Sequence, residues 1–174
     1  MCIRDSLEAG FSFRPVRARL AVLYDHASGD PDPDDSRSER FDSLFGARGF
    51  EYAPTGIYGP FFRGNIEGPG VRLLSSPRPG LELAVAHRAL WLAESRDAWV
   101  GSGLRDPTGR SGRFLGHHLE AHVRWWPRRW VAIQATWAHL FKGDYLDRVP
   151  GSPATPDSDY FTLGFDVRSP LLAR

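Results

Sequence analysis

Seven stretches of the chain alternate apolar with polar residues, which is the pattern of β-strands that are apolar on one face only. They lie at Leu7–Phe13, Val16–Asp25, Gly70–Ser75, Leu81–Ala93, Phe114–Trp126, Trp130–Phe141 and Asp159–Arg168. Three connections between them are short, at Arg14–Pro15, Ser76–Gly80 and Pro127–Arg129. The three that alternate with these are long, at His26–Pro69, Glu94–Arg113 and Lys142–Ser158. We therefore predict an antiparallel up-and-down sheet with short turns at one end and long links at the other.

Transmembrane β-barrels of the bacterial outer membrane have this layout. A charge that faces lipid near the midplane costs about 2–4 kcal/mol for Arg or Lys, so the polar residues of each strand are expected to line the interior. Aromatic residues gather near both strand ends, where Trp and Tyr favour the membrane–water interface. A soluble sandwich or lipocalin-like barrel would show the same alternation. The unequal links and the aromatic girdles favour the all-β transmembrane barrel.

Composition narrows the function classes. The length of 174 residues fits one domain, and a net charge of +1 gives no reason to expect nucleic acid as a partner. No apolar run reaches the roughly 18 residues of a membrane-spanning helix. The single cysteine, Cys2, excludes an internal disulfide and a cysteine-based metal site.

The chain divides into three expected parts. Residues 1–6 resemble a translated adapter sequence and are predicted to be a non-native extension. Residues 7–168 are predicted to be barrel, and residues 169–174 a C-terminal tail. Counting back from a last strand that runs inward, the first strand also runs inward, whereas complete bacterial barrels have an even number of strands. We therefore expect the C-terminal part of a larger, incomplete barrel.

Several separate segments, which follow one another in a characteristic order along the chain, carry a family resemblance. They include Phe45–Glu51, Pro54–Pro60, Arg105–His117 and His139–Gly143. From about Leu7 to Phe165 the chain resembles the alginate export family of outer-membrane barrels. The resemblance implies a barrel of about eighteen strands, a size within the range of such barrels. It also implies an arginine-rich pore that passes an anionic polysaccharide outward by diffusion, without catalysis or a cofactor.

The partners that this resemblance implies are an anionic polysaccharide, outer-membrane lipid and periplasmic export components. The family covers channels whose substrate need not be alginate, so a general small-solute porin stays open as an alternative. A small eight-stranded barrel that acts as an adhesin or enzyme is a further alternative, because the length also allows it.

The polar face supplies the candidate pore residues. An arginine stays charged and offers five donors, which suits transient pairing with uronate carboxylates. The predicted pore-lining set is Arg17, Arg19, Arg72, Arg88, Glu120, His122 and Arg124. Arg19, Arg72 and Arg88 are expected nearer mid-strand, and Glu8, Asp25 and Glu94 towards the rims. The alternative is that opposed arginines and acids pair with each other and hold the wall rigid.

The long links are expected to gate the mouth through Ala27–Gly68 and Glu94–Gly112, with Arg48, Tyr58 and Arg105 as candidate residues. The acidic run Asp30–Asp35 resembles a calcium loop only superficially, because Asp35 and Phe41 stand where an EF-hand needs glycine and glutamate. We interpret it as a solvated loop tip, with weak divalent binding as the alternative. His118 and His122 lie about 13 Å apart on one strand face, too far to share a metal. No serine accompanies them on that face, so we expect neither a metal site nor a catalytic one.

Overall fold

A computed structural model describes residues 4–32, 35–42, 63–155 and 157–168. These residues form seven β-strands and one short α-helix, α1 at Asp144–Arg148. The strands are β1 Arg4–Phe13, β2 Ala18–Ala27, β3 Ile66–Arg78, β4 Leu81–Trp91, β5 Phe114–Arg128, β6 Val131–Lys142 and β7 Ser158–Val167. A single turn of 3₁₀ helix, Arg14–Val16, precedes β2. Within the described ranges, no helix is long and apolar enough to cross a membrane.

The seven strands form one sheet in sequence order, and every neighbouring pair is antiparallel. This confirms the predicted all-β, up-and-down arrangement. The sheet is open, with β1 and β7 as its two edges. Turns β1–β2, β3–β4 and β5–β6 therefore lie at one end, here called the short-turn end. The links β2–β3, β4–β5 and β6–β7 lie at the other, the long-link end.

The starts of β1 and β2 differ from the prediction by two or three residues. β2 begins at Ala18 because the 3₁₀ turn occupies Arg14–Val16 and Arg17 adopts a left-handed conformation with φ of 47°. The predicted two-residue turn is therefore four residues long. β1 begins at Arg4, so Arg4–Ser6 pair with the end of β2. The non-native origin of residues 1–6 stays a prediction.

β3 is longer than predicted, running over Ile66–Arg78 instead of Gly70–Ser75. The sequence Gly68-Pro69-Gly70 resembles a break, but Gly68 and Gly70 lie where a side chain would collide with the β4 backbone. Glycine at these positions therefore reflects a close approach of two strands and not a turn. Pro69 is at an exposed position opposite Tyr24 of β2.

One face of the sheet is apolar and uncovered, and we call it the bare face. Large hydrophobic residues from all seven strands point from it, with exposed fractions from 38% to 70%. They include Leu7, Phe11, Leu20, Val22, Val71, Leu73, Val85, Val123, Trp125, Trp137, Phe141, Phe161, Leu163, Phe165 and Val167. Soluble proteins rarely expose a continuous apolar surface of this extent.

The opposite face carries the polar residues, and at the long-link end it is covered by the links. A buried cluster there joins strand residues to both the β4–β5 and β6–β7 links: Ala27, Ile66, Leu90, Leu92, Trp99, Leu115, Leu140, Tyr145, Leu146 and Val149. We call this polar side the wall face, and the packed links over it the collar.

Leu115 points to the opposite side of the sheet from the one that its strand pattern predicts. The parity of the fifth strand places it with Leu119 on the bare face, yet Leu115 is fully buried in the collar cluster. The pairing of β4 with β5 shifts register at Leu90–Trp91, beside Gly116. Gly116 has φ of 136°, and a side chain there would collide with the Phe141 carbonyl. This irregularity turns Leu115 to the other side, as β-bulges do.

Candidate functional site

Two of the predicted pore arginines share one carboxylate on the wall face. Arg19 of β2 donates to Glu8 Oε1 at 3.0 Å, and Arg72 of β3 contacts Glu8 Oε2. Glu8 was expected towards a rim, and this is wrong: it pairs with Leu23 in the middle of β1. The error follows from the start of β1, which lies three residues earlier than predicted. Both arginines are partly exposed.

Arg88 of β4 lies deeper, with only 3% of the residue exposed. Its Nε is 3.7 Å from Asp25 Oδ2, and its Nη1 is 3.8 Å from Glu120 Oε1. Two carboxylates, Asp25 from β2 on the far side of β3 and Glu120 from the adjacent β5, therefore hold one guanidinium in the wall. A guanidinium that is removed from water needs such compensation, because an uncompensated buried charge is strongly destabilising.

Arg124 completes the series nearer the short-turn end. Its Nη2 is 3.4 Å from Asp166 Oδ2 of β7, and its guanidinium lies 4.7 Å from the centre of the Trp126 ring. His122 Nδ1 is 2.9 Å from Thr136 Oγ1 on β6. The structure thus brings Arg19, Arg72, Arg88, Glu120, His122 and Arg124 to the wall face, where each has a protein partner.

Arg17 stands apart from this set. It is exposed and lies in the first short turn, directly before β2. Five further exposed arginines surround the same end of the sheet: Arg14, Arg78, Arg128, Arg129 and Arg168. The backbone of Arg168 places it beside the third turn, since its N–H donates to the Trp130 carbonyl at 2.9 Å. We call these six residues the arginine rim.

The arginine rim carries uncompensated charge. Residues 14–17, 76–80 and 127–130, which form the short turns and the strand ends beside them, contain no Asp or Glu. Within the described part of the chain, none of the six arginines is within ion-pair distance of a carboxylate. Sequence reasoning singled out only Arg17 of these residues as a site candidate. The signal was the repeated arginine in each short turn, which strand parity does not capture.

The long-link end is organised in the opposite way. The Asn65 side chain donates to the carbonyls of Glu94 and Ala98 and accepts from the Glu94 N–H at 2.7 Å. The fully buried Asp97 binds the Arg40 guanidinium and accepts from the Asp30 N–H at 2.9 Å. Its hydrogen bonds to Arg40 raise the pKa of that arginine. These contacts join the first long link to the second.

The candidate gating residue Arg105 belongs to this fixed collar, because its Nε donates to the Arg96 carbonyl at 3.1 Å. Next to it, hydroxyl and backbone donors of Thr108 and Ser111 bind Asp106 and lower the pKa of its carboxyl group. Burial, with a contribution from nearby acids, raises the pKa of Tyr145 to about 12, and its neutral hydroxyl donates to the Leu104 carbonyl. Arg48 and Tyr58 lie outside the described residues.

The residues that the structure describes contain no group of three or more His, Cys, Asp or Glu side chains that could hold a metal ion. In the acidic run, Asp35 Oδ1 accepts from the Arg37 N–H at 2.7 Å, a local turn contact. Pro33 and Asp34 lie outside the described ranges.

Comparison with known proteins agrees with the all-β architecture. No curated protein matches the chain. The sequence model of one family, described as alginate export, matches residues 6–156, which is well over half of the chain. It is a family of outer-membrane β-barrels with a role in polysaccharide transport, and not a family of enzymes. On this match, the chain belongs to the alginate export family.

Proposed function

We propose that the protein is a passive outer-membrane channel for an anionic, alginate-like polysaccharide. The arginine rim carries this proposal. It supplies six exposed positive charges at one end of a membrane-type sheet, with no acid among its turn residues. A polyuronate has one negative charge on each sugar ring, so such a rim attracts it over a distance of about one Debye length, roughly 8 Å at physiological salt.

The bare face is the proposed lipid-contacting surface. Its large apolar residues would be unfavourable in water, whereas acyl chains accept them without cost. β1 and β7 are edges, and unpaired backbone groups in hydrocarbon cost several kcal/mol each. We therefore propose that further strands, preceding β1 in the full barrel, close the sheet.

The proposed path begins at the short-turn end, which faces the periplasm in barrels of this kind. There Arg17 and the rest of the arginine rim capture the polymer, and periplasmic export components would deliver it. Arg19, Arg72, Arg88, Glu120, His122 and Arg124 are the proposed wall. Carboxylates of the polymer compete with Glu8 for Arg19 and Arg72, so each contact is weak enough for the polymer to be released again. Arg48, Tyr58 and Arg105 remain the proposed gating residues of the mouth.

A bilayer experiment tests this proposal. The full barrel, closed by the further strands proposed above, is compared with its double variant Arg128→Gln, Arg129→Gln in planar bilayers, and short oligomannuronates are added to each side in turn. We expect the variant to reduce the rate of current block from the short-turn side on the order of tenfold at low salt, with little change at high salt. The matched control is Arg110→Gln, Arg148→Gln, which removes two exposed charges at the long-link end. Equal loss in the control would contradict capture by the rim.

A general small-solute porin is the second candidate, and the wall favours it. Within the described residues, Arg19, Arg72, Arg88 and Arg124 are balanced by Glu8, Asp25, Glu120 and Asp166. A balanced wall gives little preference for anions. Neutral oligosaccharides of the same length decide between the two, because a porin would be blocked as well by them as by oligomannuronates.

A further inference from the structure

A cavity of about 390 Å³ lies between the wall face of β5–β7 and the collar. Leu140 and Tyr160 contribute from β6 and β7, and Trp99 of the β4–β5 link lines the opposite side. Lys142 at the end of β6, and Ser152 and Thr155 in the β6–β7 link, add polar groups. Among the described residues, neither the candidate pore residues nor Arg105 lines it.

The cavity combines apolar and hydrogen-bonding surface in the proportions of a small-ligand site. Its volume is at the lower end of the range for ligand pockets, about 300–1,000 Å³. A pyranose ring has an apolar face of C–H groups and a periphery of hydroxyl groups. The aromatic and aliphatic lining suits the first, and the serine, threonine and lysine groups suit the second. The size fits a single sugar ring.

The positive charge of the cavity comes from Lys142. Its Nζ donates to the Thr155 carbonyl at 2.7 Å, to Thr155 Oγ1 at 3.0 Å and to the Pro153 carbonyl at 3.4 Å, which are neutral oxygens. Among the residues that the structure describes, no carboxylate lies within ion-pair distance of this ammonium group. Asp159, which also lines the cavity, accepts from Trp137 and His139 and is not paired with Lys142. A positive charge is thus left for a carboxylate in the cavity.

Ser152 gives an independent indication. Its Oγ is buried and has no hydrogen-bond partner within the described residues. Buried hydroxyl groups in folded proteins nearly always have a partner, and a hydroxyl group of a sugar or an ordered water molecule in the cavity would supply one.

We propose that this cavity binds one uronate ring of the exported polysaccharide at the long-link end, with its carboxylate towards Lys142. This inference rests on the proposed channel function and adds to it a specific docking position beyond the wall. Binding there is weak, because a strong site would hold the polymer and stop transport.

Intrinsic fluorescence tests the proposal, since Trp99 lines the cavity. The full chain, folded in detergent micelles, is titrated with mannuronate trisaccharide and with neutral mannotriose. We expect saturable quenching by the charged trisaccharide, which Trp99→Phe abolishes. Lys142→Met should weaken the charged probe about tenfold, the loss of one charge-assisted contact, and change the neutral probe little. Ser152→Leu, which fills the cavity, should weaken both probes.

Arg148→Met is the matched control, because it removes an exposed positive charge from the same link outside the cavity. Circular dichroism verifies that each variant is folded. Equal affinity for both probes, or equal affinity in wild type and Ser152→Leu, would overturn the inference. The channel proposal is tested separately, by the dependence of current block in bilayers on the arginine rim. Binding of a sugar in the cavity does not test that dependence.

Discussion

The two ends of the sheet use charge in opposite ways. At the long-link end, Asp97 is fully buried against Arg40, and Asn65 joins two links through three hydrogen bonds. At the short-turn end, the arginine rim is exposed, and its six charges have no carboxylate partner in the described ranges. Paired buried charges contribute to structure, whereas unpaired exposed charges are free to act on a ligand.

We therefore expect substitutions at the two ends of the sheet to affect different properties: stability at the long-link end and ion conduction at the short-turn end. The collar has a hydrophobic cluster that depends on specific packing, so substitutions there should reduce the free energy of unfolding. The rim residues are exposed and occupy turns and strand ends, so substitutions there should change ion currents and leave stability nearly unchanged. The wall lies between these extremes, because its charges are paired but partly accessible.

The largest expected effect is at the collar. Leu92 is fully buried in its cluster, so Leu92→Ala should lower the free energy of unfolding by about 2–5 kcal/mol through lost burial and a residual cavity. Urea unfolding in detergent micelles, followed by tryptophan fluorescence, measures it. Arg110→Ala is the control, since Arg110 is exposed at the same end of the sheet and outside the cluster; its effect should stay within about 0.5 kcal/mol. Equal losses would mean that the collar is not a packed core.

The next effect in size compares two Asp–Arg pairs. Asp97→Ala removes a buried acceptor of Arg40 and of the Asp30 N–H, and should cost about 1–3 kcal/mol. Asp144→Ala breaks the exposed pair with Arg148 within α1, which should cost about 0.5 kcal/mol or less. The same urea titration measures both. A cost for Asp144→Ala as large as that for Asp97→Ala would show that burial is not the deciding factor.

Most of the sheet was predictable from sequence because alternation with period two marks each strand directly. The strand ends were less so. Arg17 completes its turn through a left-handed conformation that strand parity does not reveal. Leu115 changes face at an irregularity beside Gly116, and a single register shift reverses the facing of whatever lies beyond it.

The candidate site was likewise predictable from sequence only in part. Local alternation correctly places Arg19, Arg72, Arg88 and Arg124 on one face. Their partners depend on register between strands, so the shared position of Glu8 between Arg19 and Arg72 was not predictable from either strand alone. The collar depends on contacts between links that are distant in sequence, such as Asn65 with Glu94, for which no periodic pattern exists.

The smallest expected effect concerns the wall. Glu8→Gln removes the carboxylate that Arg19 and Arg72 share, and so leaves two partly exposed guanidinium groups on the wall face, which borders the proposed path. The anion-over-cation permeability ratio, measured from reversal potentials across a salt gradient, should rise by about twofold to fivefold, since rings of basic side chains select anions. Glu120→Gln is the comparison: it removes one carboxylate from Arg88, which is only 3% exposed, so the ratio should change less. If Glu120→Gln raised the ratio as much as Glu8→Gln, the accessible charge of the wall would lie at Arg88 and not at the Glu8 pair. If neither changed it, selectivity would rest on the arginine rim alone.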